Sequence, residues 1–376
     1  MNDFANTLPA IEFDQGLIER YDGRGPRYTS YPTALQFSDA VTEDVYRANA
    51  RQSNASGAPL SLYVHIPFCH SLCYYCGCNK IVTRNQARVE RYMEMLYKEI
   101  GMQAEMFDAT RKATQLHFGG GTPTYLDTQQ MDALMARLGE AFTLDRGEER
   151  EFSIEVDPRT VDGDGLRHLT DLGFNRLSLG IQDFDPQVQE AVNRKQSHAE
   201  VTDLVEAARG AGYKSISFDL IYGLPHQSVE SFNATLDLVI ALRPDRLAVY
   251  NYAHLPERFK GQRMINAADI PLPATKLDIL HGTIDRLSDS GYLYIGMDHF
   301  ALPEDDLVLA RGDGTLQRNF QGYSTHGECD LVGLGVSSIS DIGNVYSQNA
   351  VTTMEYETLI EDGHIPIKKG VVVDDD

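Results

Sequence analysis

The sequence predicts an α/β fold, a partial (β/α)6 barrel of the TIM-like kind, carried behind an N-terminal extension. Two observations predict it. From Pro59 onward β-rich runs alternate with amphipathic helical stretches, the rhythm of a parallel sheet with helical crossovers. Six such units in series favour a barrel, or an incomplete one, over a short open sheet, and 376 residues hold a barrel of roughly 250 residues plus additions.

Residues 1–58 read as a leading segment, with turn signals at Gly23, Gly25-Pro26, Tyr31-Pro32 and Ser56-Gly57. Leu60 to Phe68 (LSLYVHIPF) is the first strand, and residues 87–107 put Val89, Tyr92, Met93, Leu96, Ile100 and Phe107 on one helix face. Gln115–Phe118 is a short second strand, followed by a helix marked by Met131, Leu134, Met135, Leu138 and Phe142. Phe152–Val156 is a strand, and a short helix over 162–172 ends at Gly173. After the strand Arg176–Ile181, Ser197-x-x-Glu200 is a capping box opening a helix with Val201, Leu204, Val205 and Ala208 inward. Ser215–Tyr222 and Arg246–Tyr252 are the last two strands, separated by a helix that Arg243-Pro244 closes. The domains follow: extension 1–58, barrel with added strands 59–345, and 346–376 as the start of a C-terminal region that stops short.

In such a barrel the chemistry belongs at the C-terminal strand ends. There the sequence offers the cysteines, then Gly119 to Thr122, Glu155 and Asp157, Gln182 and Asp183, Asp219, and Asn251 with Tyr252.

A charge of −22, from 33 Lys and Arg against 55 Asp and Glu, argues against nucleic acid and against anionic membrane surfaces. No apolar run approaches the roughly 20 residues of a membrane helix. The N-terminus lacks the basic and apolar regions of a secretory signal. Four of the five cysteines, Cys69, Cys73, Cys76 and Cys78, fall within ten residues, and Cys329 stands alone. A tight cluster in a large chain reads as a soft-metal site in a reducing compartment, so a cytoplasmic metalloprotein is expected.

Cys69-x3-Cys73-x2-Cys76 lets one loop present three thiolates to a single Fe–S cluster. Such a cube normally takes four cysteines, and three leave one iron open. A zinc site with Cys78 as fourth ligand is the alternative; only Gly77 separates Cys76 from Cys78, and no second cysteine pair exists.

With an aromatic, Tyr75, before the third cysteine, this motif resembles the signature of the radical S-adenosylmethionine (SAM) superfamily. That family folds as a partial (β/α)6 barrel and uses a [4Fe–4S] cluster to cleave SAM to methionine and a 5′-deoxyadenosyl radical. Seven blocks covering much of the chain extend the likeness: GPRYTSYPTA (25–34), SLYVHIPFCHSLCYYCGCNKIVTR (61–84), HFGGGTPTYL (117–126), SIEVDPR (153–159), DLIYGLP (219–225), GMDHFA (296–301) and RNFQGYSTHGE (318–328). They resemble the oxygen-independent coproporphyrinogen III oxidases of haem synthesis, which convert two propionates of coproporphyrinogen III to vinyl groups, giving protoporphyrinogen IX. Full-length members continue into a helical C-terminal domain.

The resemblance implies that Cys69, Cys73 and Cys76 ligate the cluster. Cys78 completes the C-x3-C-x2-C-x-C form of the oxidases, and with Tyr63 it stands as a catalytic candidate. Tyr63, Tyr75, Gly120, Gly121, Thr122, Glu155, Gln182, Arg194, Asp219, Ala253 and Ile339 match SAM-contacting positions. The implied partners are coproporphyrinogen III and an electron donor such as flavodoxin or ferredoxin, with the chain a monomer. Because the substrate carries four carboxylates, Arg24 and Arg27, with Lys80 and Arg84, are expected at the mouth of the site. The rival reading is a haem-binding chaperone that keeps the cluster without the decarboxylation; a radical enzyme acting on another tetrapyrrole, such as a haem-degrading methyltransferase, is a third. Cys78 and the GPRYTSYP segment argue against the chaperone, and that leading segment also disfavours the methyltransferase.

Overall fold

Among the described residues, seven parallel strands of five or more residues, one more than the sequence announces, frame the site. The computed structural model describes residues 13–21 and 30–373. β1 (Leu60–Ile66), β2 (Lys112–Gly120), β3 (Glu151–Val156), β4 (Arg176–Gln182), β5 (Ser215–Tyr222) and β6 (Arg246–Asn251) lie side by side in chain order, each parallel to the next. Helices Gln86–Ala104, Thr128–Ala141, Gly163–Asp171, His198–Ala211 and Val229–Leu242 make the crossovers. The Ser197/Glu200 capping box forms as expected. Arg243 ends its helix in the left-handed region, φ 49°, directly before Pro244.

Beyond β6 the sheet continues through two antiparallel strands, β7 (Leu293–Gly296) and β8 (His299–Ala301). On the other side of β1 lies β9 (Asp330–Leu334), the seventh parallel strand, in register from Leu60↔Asp330 to Val64↔Leu334. β10 (Ile339–Ile342), β11 (Val345–Asn349) and β12 (Ile367–Val372) follow, antiparallel. The sheet is therefore open, a partial barrel with antiparallel skirts at both ends. β9 is short and interrupted by glycine. At Gly333 a Cβ would stand 2.6 Å from the Ile339 carbonyl, so close packing of β9 on β10 requires the glycine that blurs the strand signal.

Alternation along the six strands explains how the barrel carries a site. Leu60, Leu62, Val64 and Ile66 on β1, Leu116 and Phe118 on β2, and Leu177, Leu179 and Ile181 on β4 are all buried in the apolar core. The opposite face is polar: Ser61, Tyr63, Gln115, His117, Glu151, Ser153, Glu155, Arg176, Ser178, Ser215, Ser217, Asp219 and Arg246 line an interior cavity of about 180 Å³. Period-2 alternation puts one set outward under the helices and the other inward.

The helix Thr353–Glu361 is anchored through a buried carboxylate. Glu99, fully buried on Gln86–Ala104, accepts from the Gly335 amide (2.7 Å), the Tyr356 hydroxyl (2.6 Å) and Asn349 Nδ2 (2.7 Å). Burial pushes its carboxyl up to about 7 from 4.5. The folded state thus keeps a proton that the unfolded chain releases, and this site makes stability fall as pH rises from about 4.5 to 7. The span corresponds to roughly 3 kcal/mol. Glu99→Gln is expected to flatten that slope in urea unfolding measured from pH 4.5 to 7.5; an unaltered slope would overturn the assignment.

Candidate active site

The cysteine loop leaves β1 at the C-terminal edge of the sheet and turns back under its own hydrogen bonds. The Cys76 amide donates to the Cys73 carbonyl (3.2 Å), and the Tyr74 amide to Val192 (3.0 Å). Cys69 and Cys73 are buried, Cys76 is half-buried and Cys78 is exposed. All four, with Tyr75, Gly120, Gly121, Thr122, Glu155, Gln182, Arg194 and Asp219, line one cavity of about 410 Å³. Twelve positions chosen from the sequence thus meet at one place.

The thiols have polar neighbours of their own. Thr122 Oγ1 donates to Cys69 Sγ (3.6 Å), while Arg159 Nη2 and Arg194 Nη1 each approach Cys73 Sγ at 3.5 Å. Burial pushes the Cys69 thiol up to about 11, so it keeps its proton at neutral pH until a binding metal displaces that proton to solvent. The hydrogen bond from Cys78, then Lys80, holds Cys76 below its ordinary value, and the same bond drives Cys78 well above its own. Cys78 is the proton donor of that pair.

Asp157 organises the two arginines. Arg159 forks onto it at 2.9 and 2.6 Å, and Arg194 Nη1 reaches it at 3.1 Å. Burial alone would raise this carboxyl; the two guanidinium groups outweigh it and hold the group below its ordinary value. Arg194 Nη2 also donates to the Gly180 carbonyl, and a Cβ at Gly180 would collide with that nitrogen at 2.8 Å. Among the described residues, Arg194 Nε is buried without a hydrogen-bond partner. Gln182 sits across from it in the left-handed region, φ 66°.

The glycine turn after β2 is a close approach. A Cβ on Gly121 would meet the Pro67 and Phe68 backbone at 2.7 to 2.8 Å, and one on Gly120, φ 117°, would meet the His65 ring at 2.8 Å. Gly121→Ala must displace the backbone leading into Cys69. It is expected to weaken SAM binding at least tenfold in equilibrium dialysis, and unaltered affinity would show that the turn has slack.

Glu155 accepts from the Gly120 amide (3.2 Å) and faces His117 Nε2 (3.3 Å). Against the effect of burial, His117 and that amide keep it below its ordinary value. Asp219 answers it from β5: burial, then the Glu155 charge, push it up to about 7, while Ser178 Oγ donates to it at 3.1 Å. Glu155, Ser178 and Asp219 line both cavities, joining the cysteine site to the polar barrel interior.

Tyr63 lines that interior and not the cysteine cavity itself. Its hydroxyl lies 3.1 Å from His65 Nδ1, its ring stacks on His117 at 5.7 Å, and His65 Nε2 reaches the Asn79 carbonyl (3.0 Å). Ala253 and Ile339 line neither cavity. Ala253 is exposed past the end of β6, where Gln262 Nε2 joins its carbonyl (3.1 Å) to that of Tyr75 (3.0 Å), and Ile339 begins β10, two strands beyond β1. Arg24 and Arg27 lie outside the described residues; Lys80 donates to the Cys76 carbonyl (2.9 Å), and Arg84 is exposed. Arg159, His65 and His117 were missed as site residues, although each sits in a conspicuous block and period-2 counting reaches His65 from Tyr63 and His117 from Gly119.

Three soft donors on one loop, cations beside them, an orphaned guanidinium N–H and a glycine cradle fit an Fe–S cluster and a carboxylate-bearing ligand in the same cavity. Among the described residues no helix is long and apolar enough to cross a membrane.

Residues 63–239 match the radical SAM superfamily. The oxygen-independent coproporphyrinogen III oxidase of Pseudomonas aeruginosa is 53% identical over 364 residues, 97% of this chain and 79% of that protein. The Escherichia coli enzyme of the same name is 51% identical over 368 residues, 98% of this chain and 79% of that one. The solved structure of the Escherichia coli coproporphyrinogen III oxidase, described as a radical SAM enzyme, superimposes with a TM-score of 0.91 at 49% identity, over 97% of this chain and 82% of the other. A seven-strand partial barrel, a C-x3-C-x2-C loop at its mouth and this identity across almost the whole length agree: the chain belongs to the oxygen-independent coproporphyrinogen III oxidase family of the radical SAM superfamily.

Proposed function

We propose that this chain is an anaerobic oxidoreductase of haem synthesis that decarboxylates two propionates of coproporphyrinogen III to vinyl groups, giving protoporphyrinogen IX. The observation that carries the reading is the cysteine cavity joined through Glu155, Ser178 and Asp219 to a polar barrel interior. Cys69, Cys73 and Cys76 would hold a [4Fe–4S] cluster. Gly120, Gly121, Thr122, Glu155, Gln182, Arg194 and Asp219 would hold SAM, with Tyr75 beside it. When bound, the cluster would supply the electron that cleaves SAM, and the pair would thereby provide hydrogen-atom abstraction at the propionate carbon next to the pyrrole, with loss of carbon dioxide and of one electron to an external acceptor.

The chain's own residues do the rest. Asp157 keeps Arg159 and Arg194 aimed at Cys73. Glu155 fixes the glycine turn by accepting the Gly120 amide. Tyr63, held by His65 and stacked on His117, presents a proton-bearing hydroxyl to the interior, and Cys78 presents its thiol at the mouth. Lys80 and Arg84 provide cations for substrate carboxylates.

The electron donor is a small acidic redox protein of the flavodoxin or ferredoxin kind. Segments 68–84 and 253–265 surround the cysteine loop, with Phe259 packed against Gly77, and carry Lys80, Arg84, Arg258, Lys260 and Arg263 against Glu257 alone. In a chain of charge −22 that is a local excess of positive charge suited to an acidic protein. The protein acts in the cytoplasm, as a monomer.

The test is anaerobic turnover of cluster-loaded protein with SAM and coproporphyrinogen III, with dithionite or reduced flavodoxin as reductant. Protoporphyrinogen and 5′-deoxyadenosine appearing together support the reading. Neither appearing despite a SAM-responsive cluster overturns it, and stoichiometric haem binding then favours a haem-carrying protein.

A further inference from the structure

Cys329 lies at the end of the barrel opposite the cysteine loop. It immediately precedes β9, and its thiol is 3.6 Å from Thr114 Oγ1 near the start of β2. A tight turn brings two other donors to it. The Cys329 amide donates to the His326 carbonyl (3.3 Å), and the His326 amide to Ser324 Oγ (3.1 Å). Gly327 at the bend presses on Gln317, where a Cβ would stand 2.2 Å from the Gln317 side chain.

Within this turn His326 Nδ1 is 3.4 Å from Glu328 Oε1, and Cys329 Sγ is 3.9 Å from the same oxygen. All three donor atoms lie within 4.8 Å of one another. A tetrahedral zinc ion with Zn–N and Zn–O near 2.1 Å and Zn–S near 2.3 Å sets N···O at about 3.4 Å and O···S at about 3.6 Å. Two edges of that tetrahedron already stand near their lengths. The exposed Glu328 and the half-buried His326 and Cys329 leave an open fourth position. His326 also lines an open cavity of about 510 Å³ among the N-terminal strand ends, which gives a cation a way in.

We propose that His326, Glu328 and Cys329 form a second metal site, separate from the cluster, that takes one borderline-soft divalent cation, zinc in the first place. A thiolate, an imidazole and a carboxylate are a donor set zinc accepts, with water in the fourth position. The thiol proton leaves to solvent as the metal binds, and no redox step is involved. The site has a structural consequence. The turn continues directly from the strand pair Gln317–Arg318 and Tyr323–Ser324, which with its loop supplies Asn319, Gln321, Gly322 and Tyr323 to the wall of the interior cavity. A bound ion pins that wall to the start of β2 and β9.

The test does not depend on turnover. Cluster-loaded protein is dialysed against zinc, and zinc and iron are counted per chain in the parent, His326→Asn, Glu328→Gln and Cys329→Ser. One zinc beyond the cluster iron is expected, with a sulfur neighbour near 2.3 Å in zinc-edge X-ray absorption. Affinity should fall at least tenfold in His326→Asn and Cys329→Ser at unchanged iron content, and less in Glu328→Gln. No saturable zinc, zinc without a sulfur neighbour, or equal zinc in parent and variants would overturn the proposal. Loss of zinc and iron together in a variant would also overturn it, because the zinc would then belong to the cluster cysteines.

Discussion

Cys73→Ser is expected to remove the iron–sulfur cluster and reduce SAM cleavage by more than about a hundredfold, beyond the upper range for loss of even an outer-shell partner. The structure gives Cys73 no substitute. It is buried at the centre of the loop, and both Arg159 and Arg194 approach its sulfur at 3.5 Å. A serine hydroxyl there stays protonated and is a hard donor, a poor ligand for iron in a sulfide cube. The fold should survive, since neighbouring Tyr74 keeps its backbone bond to Val192 and the apolar core lies elsewhere. Iron content, the visible absorption of the cluster and 5′-deoxyadenosine production should fall together while far-UV circular dichroism is unaltered. Cys78→Ser is the contrast. Cys78 is exposed and hydrogen-bonded to Cys76, so it should keep its iron. If iron instead leaves with Cys78 and stays with Cys73→Ser, the ligand assignment is wrong.

Arg111→Met is expected to cost about 3–5 kcal/mol of stability, the range for stranding one partner of a buried ion pair. Arg111 is only 3% exposed and spends its whole guanidinium on local partners. Nε donates to the Ala58 carbonyl (2.6 Å), Nη1 to Ser53 Oγ (2.9 Å) and Asn54 Oδ1 (3.2 Å), and Nη2 pairs with Asp330 at 2.5 Å. Asp330 in turn accepts the Gly343 amide (2.8 Å). The residue therefore ties the helix before β1, the start of β2 and the start of β9 together at the base of the barrel. Methionine fills the volume but leaves Asp330 buried and unpaired. Urea unfolding should show the loss, and adding Asp330→Asn should recover part of it. SAM affinity of the folded fraction should be unaltered, because Arg111 is remote from the cysteine cavity. A loss below about 1 kcal/mol would mean that water reaches Asp330.

What the sequence determined by itself is everything encoded over short spans. The strand and helix rhythm, the Ser197/Glu200 box, the Arg243-Pro244 stop and the three-thiol loop each depend on residues fewer than ten apart, and their spacing alone dictates the local geometry. Matching motif blocks then brought Gly120, Gly121, Thr122, Glu155 and Asp219, and single matching positions brought Gln182 and Arg194, to the cavity that the cysteines share. Tertiary structure alone decided what depends on register between distant strands. β9 pairs with β1 across some 270 residues, and nothing near Asp330 signals it. Tyr63 faces His117 because β1 and β2 pair at that position, which puts the tyrosine on the wall of the interior cavity. Arg194 reaches Cys73 through the gap that Gly180 leaves, whereas Ala253 and Ile339 fall outside. A local pattern specifies which way a side chain points from its own strand. Which partner it meets depends on a pairing that only the assembled sheet sets, because a one-residue shift of register turns every inward group outward.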